Sequence, residues 1–268
     1  MKEWWAKTSE HLFEKHSLSH FSMMGLAAAG VALITTIKEK IARQLDKFKW
    51  LRVALLALLL ASEVSYQAWT VSAGVWSFDG HMPLHLCAVA SLAAVGALLT
   101  WNETMTQFAF FTGVVPPLIA VITPEVPYGY RHYRFWKFFL HHMSIPWAAL
   151  FLAAAQPHAI HVRGALKVYG MLAAYALVIG KGINPLTGAN YLYLSQRPNA
   201  KTPLDFLGTG KKYIVNLAIA GMGMFLGQLS VWKLLYWTPR KTGACAPVFF
   251  HSQKGSATDD LYCVPLKV

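Results

Sequence analysis

Residues 51–72 read LRVALLALLLASEVSYQAWTVS, an apolar run broken by a single carboxylate, Glu63. A bilayer core of ~30 Å is crossed by about 17–25 residues of α-helix, and this stretch has that length and character. Six further apolar runs repeat the pattern, at residues 21–37, 82–99, 105–122, 135–155, 165–179 and 213–237. The run at 165–179 is the shortest and stops at Gly180-Lys181-Gly182. Composition agrees: 55% of the 268 residues are apolar and 13% are charged, where a soluble domain carries about 25% charged residues. That excludes disorder and argues against a soluble globule. It predicts an all-α, polytopic membrane helix bundle of about seven transmembrane helices, each satisfying its own backbone. The expected organisation is an amphiphilic segment over residues 1–20, a transmembrane domain over 21–239 and a polar tail over 240–268. The mixed charges Lys2, Glu3, Lys7, Glu10, Glu14 and Lys15 do not match a cleaved signal peptide, so the first run is read as a retained helix.

The net charge of +12 comes from 24 Lys+Arg against 12 Asp+Glu. Its densest stretch, Lys38, Lys40, Arg43, Lys47, Lys49 and Arg52, lies between the first two runs. Nucleic-acid binding needs a folded recognition surface, and the sequence offers none, so no nucleic-acid partner is expected. A short basic loop between apolar helices is a cytoplasmic retention signal. It places the N-terminus outside and the tail inside a multi-pass cell-membrane protein, with anionic lipid headgroups at the basic loops. Three cysteines are too few for a disulfide scaffold; Cys245 and Cys263 fall in the tail and carry no assigned role.

Ionisable residues inside a membrane are costly and mark function. Glu63 is the one acid inside an apolar run, and Gln67 follows on the same helical face. The third run opens with His81-Met82-Pro83-Leu84-His85-Leu86-Cys87, and the fifth carries Lys137, His141, His142 and Pro146. With Pro83 in the first helical turn, Cys87 is expected about six residues into its span and His142 about seven into its own. At 1.5 Å per residue both lie roughly 10 Å below the same face, with Glu63 slightly deeper. A thiol, an imidazole and a carboxylate then share one pocket. The loop 182–212 caps that side and has two readings, an aromatic belt at headgroup level or a lid with Asn190 and Tyr191 as donors toward the pocket; Tyr193 and Asp205 lie beside them. Lys137 reads as a snorkelling residue. Pro116-Pro117 is expected to kink the fourth span and open it to lipid.

Each residue alone also has a plain packing role, since a buried cysteine commonly serves as a small hydrophobe. Together they suit two chemistries. In one, Cys87 is a nucleophile activated by His142 or His141 and oriented by Glu63, a thioester route to acyl transfer that needs no cofactor and no metal. In the other, His81 and His85 join His141, His142 and Glu63 around a metal such as zinc. A non-enzymatic alternative is a small-molecule or ion carrier with an intramembrane Glu/His site.

The ordered elements resemble the YwaF-like family of bacterial integral membrane proteins, itself similar to eukaryotic transmembrane acyltransferases of ether-phospholipid metabolism. The matching elements are Glu63 with Trp69, Met82-Pro83-Leu84-His85-Leu86-Cys87 and Thr123-Pro124-Glu125. Arg134-Phe135 through Phe138-Phe139 with His141-His142, Gly188–Leu194 with Pro198, and Leu204-Asp205 with Gly208 continue the series. The resemblance runs from about Glu63 to Tyr213. It implies that Cys87 carries an acyl group, that a fifth-span histidine, His142 or its neighbour His141, is the base, and that a membrane phospholipid is the substrate. His85, Asn190, Tyr191, Tyr193 and Asp205 then line the substrate side. The chain departs from the pattern at Gly208-Thr209-Gly210-Lys211-Lys212-Tyr213, where relatives tend to carry Gly-Pro-x-Pro-x-Tyr, and at Met143, where Gly is common.

Overall fold

A computed structural model describes residues 3–198, 202–236, 245–247 and 263–265. By compactness the chain divides into residues 1–229 and 230–268. The first unit is an all-α membrane helix bundle. Its helices are α1 (Leu18–Thr36), α2 (Lys38–Arg43), α3 (Lys49–Ser72), α4 (Phe78–His81), α5 (Leu86–Thr100), α6 (Glu103–Gly113), α7 (Val115–Ile122), α8 (Tyr133–Ala155), α9 (Val162–Val178) and α10 (Asn184–Thr187), followed by α11 (Gly210–Tyr236), which continues into the second unit. In the second unit Cys245–Pro247 and Cys263–Pro265 pair antiparallel. Trp237 and most of the tail 240–268 lie outside the described residues.

The helix boundaries follow local chemistry. The Ser17 side chain caps α1 by accepting from the His20 amide, and Asn102 caps α6 by accepting from Met105. His132 and His161 cap α8 and α9 through imidazole acceptors, taking the amides of Arg134 at 3.1 Å and Gly164 at 3.0 Å. Side-chain acceptors at these positions satisfy donors that the helix leaves open. The Pro116-Pro117 pair does break its span: α6 ends at Gly113 and α7 restarts at Val115. The Gly180-Lys181-Gly182 break is a π-turn over Ile179–Ile183 leading into α10, which stops at Gly188 with φ +75°.

Among the described residues, five helices have the length and apolarity to cross a membrane: α1, the α6–α7 pair, α8, α9 running through α10, and α11. α5 is apolar but has 15 residues. α3 has 24 residues, carries Arg52, Glu63 and Gln67, and is not one of the five. The expected count of seven is therefore not reproduced by length and apolarity alone.

α8 is the axis of the bundle, packed against α1, α3, α5, α6 and α7. Its most apolar window is 72% buried, against 22% for α1 and 17% for α11. Those outer helices present Leu33, Ile219 and Leu226 outward, a surface far too apolar for water and suited to lipid. Gly30 of α1 lets that helix touch α8: a Cβ there would sit 2.2 Å from the Trp147 ring, whose Nε1 donates to the Ala27 carbonyl at 3.1 Å.

One end of the bundle gathers the polar segments. The Tyr191 hydroxyl donates to the Phe78 carbonyl and accepts from the Met82 amide at 3.2 Å. Tyr175 of α9 donates to Leu84 O at 2.8 Å, and Tyr193 donates to Glu125 at 3.0 Å. The N-terminal segment closes over the same end. The Tyr133 amide donates to Trp4 O at 2.9 Å, Gly129 to His11 O at 2.7 Å and Phe13 to Pro127 O at 3.1 Å.

Candidate functional site

The site forms where α3, the turn before α5 and the first turns of α8 meet. Pro83 lies ahead of α5, because the chain stays extended at Met82 and at His85, which occupies the cap position with ψ 153°. Cys87 is consequently the second residue of its helix, not about the sixth. His142 is the tenth residue of α8 and Lys137 the fifth, a difference of about 7.5 Å along the axis. That register explains what the thiol meets. Among the described residues Cys87 is a free, half-buried cysteine, and the charged side chain that acts on it electrostatically is Lys137. No hydrogen bond joins it to His141 or His142.

The two histidines are differently held. His142 places Nδ1 2.8 Å from the Phe138 carbonyl. A carbonyl only accepts, so Nδ1 carries the proton and Nε2 keeps its lone pair. Phe138 also packs against the ring at a tilt of 33°, centroids 4.3 Å apart. His141 is buried, with Nδ1 lacking a hydrogen-bond partner among the described residues. His142 is coupled electrostatically to His85 and Lys137, so it faces the same polar region as the residues around Cys87.

Glu63 does not orient either histidine. Its Oε1 accepts from Gln67 at 2.9 Å, and that Gln67 amide also donates to His81 O at 3.0 Å while its carbonyl accepts from Trp76 at 3.1 Å. The i, i+4 spacing satisfies the carboxylate on its own helix and fastens α3 to the 76–81 turn. Asn190 and Tyr191 likewise do not point donors into the pocket. Asn190 holds its own loop, donating to Gln196 O at 2.9 Å and accepting from Ser195 and Gln196 amides. Tyr191 is fully buried and its hydroxyl is spent on the 78–82 segment. Asp205 closes a capping box with Thr202 and lies 3.7 Å from Arg197. Asn190 and Tyr191 thus build the cap, and Asp205 lines a cavity within it together with Arg197 and Tyr213.

His85 and Tyr193 pack against each other. The His85 ring lies 5.1 Å from that of Tyr191 and 5.4 Å from that of Tyr193. Burial and then the Glu125 carboxylate push the Tyr193 phenol well above its usual range, so it remains a donor to Glu125.

Sequence reading missed the basic side of the site. Lys137 does not snorkel outward: its Nζ lies 4.2 Å from the Tyr66 ring centroid. Arg134, one turn earlier, stacks over Tyr66 at 4.4 Å and Trp69 at 5.1 Å. The signal was present, because Arg134, Lys137 and His141 recur at i, i+3 and i+7 on one face of the helix. Among the described residues no three His, Cys, Asp or Glu come together as a ligand set. His81 Nδ1 is occupied by the Ser77 amide at 3.1 Å, which leaves the metal-dependent alternative without its ligands.

Residues 15–227, most of the chain and the whole of this site, match the TMEM164 family. The chain belongs to the TMEM164 family. No curated protein and no solved structure matches it. The TMEM164 family match agrees with a membrane-embedded helical protein. It covers the segment from α1 through most of α11, so Cys87, His142, Lys137 and the 188–208 cap all lie inside the family region.

Proposed function

We propose that this TMEM164-family protein is a membrane phospholipid acyltransferase that works through a Cys87 thioester. The observation that carries the reading is the fixed tautomer of His142, whose Nδ1–H is held by Phe138 O, leaving the Nε2 lone pair available to act as a base. The thiol stands in the first turn of α5 and is free among the described residues.

The chemistry runs in two balanced halves. Cys87 gives its proton to His142 Nε2, and Sγ attacks the carbonyl carbon of a phospholipid ester. The tetrahedral intermediate collapses with cleavage of the C–O bond. The departing glyceryl oxygen takes the proton back from His142 and leaves as lysophospholipid, with the acyl group on sulfur. An acceptor lysolipid hydroxyl, or water, then loses its proton to His142 and attacks the thioester. The C–S bond breaks and the sulfur recovers the proton. In the free enzyme the thiol and base stand apart, as catalytic hydrogen bonds often do before substrate closes them. The acyl chain extends along the apolar helices, and the protein resides in the cell membrane with its basic 38–52 segment against anionic headgroups.

The test is acyl exchange from isotope-labelled phosphatidylcholine to lysophospholipid in nanodiscs. Wild-type protein transfers label, and Cys87→Ala protein of unchanged thermal stability does not. Equal transfer by both proteins overturns the proposal.

A further inference from the structure

Two cations of α8 stand at the site opposite one carboxylate. Arg134 Cζ and Lys137 Nζ lie 4.4 and 4.2 Å from the Tyr66 centroid, so they are no further apart than the sum of these distances. Glu63, the acid that acts on Lys137, is hydrogen-bonded to Gln67, and no ion pair reaches Arg134 or Lys137 among the described residues. Glu125 faces Tyr193 and His85, and Asp79 faces His81 and Tyr191. One positive charge is left over. The same place holds two orphaned donors: Arg134 Nε and Trp69 Nε1 are both buried without a hydrogen-bond partner, and Trp69 is 2% exposed. A buried donor without an acceptor is costly, and an uncompensated buried cation is more so. Excess charge, an ammonium and a guanidinium both over the Tyr66 ring and an unpartnered indole N–H on the neighbouring Trp69 ring match an oxyanion with several acceptor oxygens.

We infer that Arg134, Lys137 and Trp69 Nε1–H form the binding site for the phosphate of a glycerophospholipid headgroup. The site's position supports a lipid source. Arg134 and Lys137 are the second and fifth residues of α8, at the end of that apolar helix where the polar segments gather, and Lys137 acts electrostatically on Cys87. In a glycerophospholipid the ester carbonyl is a few bonds from the phosphate, so a phosphate on Lys137 delivers that carbonyl toward Sγ. The inference rests on the acyl-transfer reading for its substrate class, but binding is measurable without turnover.

The experiment uses the full chain with Cys87→Ala, purified in detergent, and reads by native mass spectrometry the retention of dioleoylphosphatidylglycerol, of dioleoylglycerol and of inorganic phosphate. Phospholipid is retained at least tenfold more tightly than dioleoylglycerol. Arg134→Gln and Lys137→Gln each remove about tenfold of that preference, and Lys137→Arg keeps it. If Arg134→Gln fails to fold, because it loses its stacking, the two Lys137 variants decide. Gln variants that are monodisperse and retain phospholipid as the parent does overturn the site. Inorganic phosphate held as tightly as phospholipid overturns the lipid assignment. A second measurement, acylation of Cys87 in the full chain with its thiol intact, with and without Lys137→Gln, separates this inference from the proposed activity. If Cys87 is never acylated but Lys137→Gln still loses phospholipid, acyl transfer fails and the phosphate site stands. If Cys87 is acylated equally by phospholipid and dioleoylglycerol, with and without Lys137, the phosphate site fails alone.

Discussion

Tyr191→Phe removes one oxygen and keeps the ring, and it tests whether the 188–194 loop fixes the approach to Cys87. The hydroxyl is buried and serves two backbone groups, the Met82 N–H at 3.2 Å and the Phe78 carbonyl. The phenylalanine ring still packs against His85, so only the polar links are lost. Leaving a buried group unpaired costs about 1–3 kcal/mol; for two groups with partial relaxation, a local loss of roughly 2–4 kcal/mol follows. With tenfold per 1.4 kcal/mol, amide exchange at Met82 should accelerate by about one to three orders of magnitude. Residues 78–85 lead directly into the first turn of α5, so Cys87 should also react faster with a maleimide. Hydrogen-exchange mass spectrometry on peptides spanning 78–89, at constant pH in detergent, reads both the size and the place of the effect. Unchanged Met82 exchange together with unchanged thiol reactivity would refute the reasoning, because the tyrosine would then not pin the turn.

Three further outcomes are expected. His142→Asn keeps a donor for Phe138 O and deletes the Nε2 lone pair, so thermal stability should hold while acyl transfer falls by about 10²–10⁴-fold, the usual range for a lost general base; transfer at the wild-type rate assigns the base elsewhere. His132 caps α8 with Nδ1 and binds Ala6 O through Nε2 at 2.9 Å, and burial, its largest influence, holds it below its ordinary 6.5. The unfolded chain therefore takes up a proton first, and stability should decline as pH falls below 6.5, a decline that His132→Asn, which retains an acceptor for the cap, should lessen in melts at pH 7.5 and 5.5. Gly30→Ala drives a methyl into Trp147, whereas Gly25→Ala has nothing within 4 Å; the first should cost about 1–3 kcal/mol of stability by overpacking, seen as a lower melting temperature, and the second should be neutral or stabilising.

The membrane bundle was legible because apolar length is a local property of the chain. The runs at 135–155, 105–122 and 213–237 reappear as α8, α6–α7 and α11, and the break at Pro116-Pro117 appears where proline chemistry puts it. Depth was less legible. A proline tolerated in a first helical turn is equally at home just before a helix. The choice made at Pro83 moved Cys87 from about six residues deep to the second position of α5. The Glu63–Gln67 bond was legible from the i, i+4 spacing, whereas the partners of Asn190 were hidden, because neighbours in its own loop, Gln196 and Ser195, compete with any distant group. Lys137 was misread because spacing alone does not tell an outward snorkelling lysine from one folded over Tyr66. That distinction depends on α3 lying against α8, a tertiary fact.

The most direct test of the central claim is peptide mass spectrometry of Cys87 after brief incubation of the purified protein with isotope-labelled phospholipid and acid quench. The account predicts a labelled acyl group on the peptide containing Cys87, released by neutral hydroxylamine, absent in Cys87→Ala and strongly reduced in His142→Asn. A protein that transfers labelled acyl chains while Cys87 stays unmodified at every time point would contradict it.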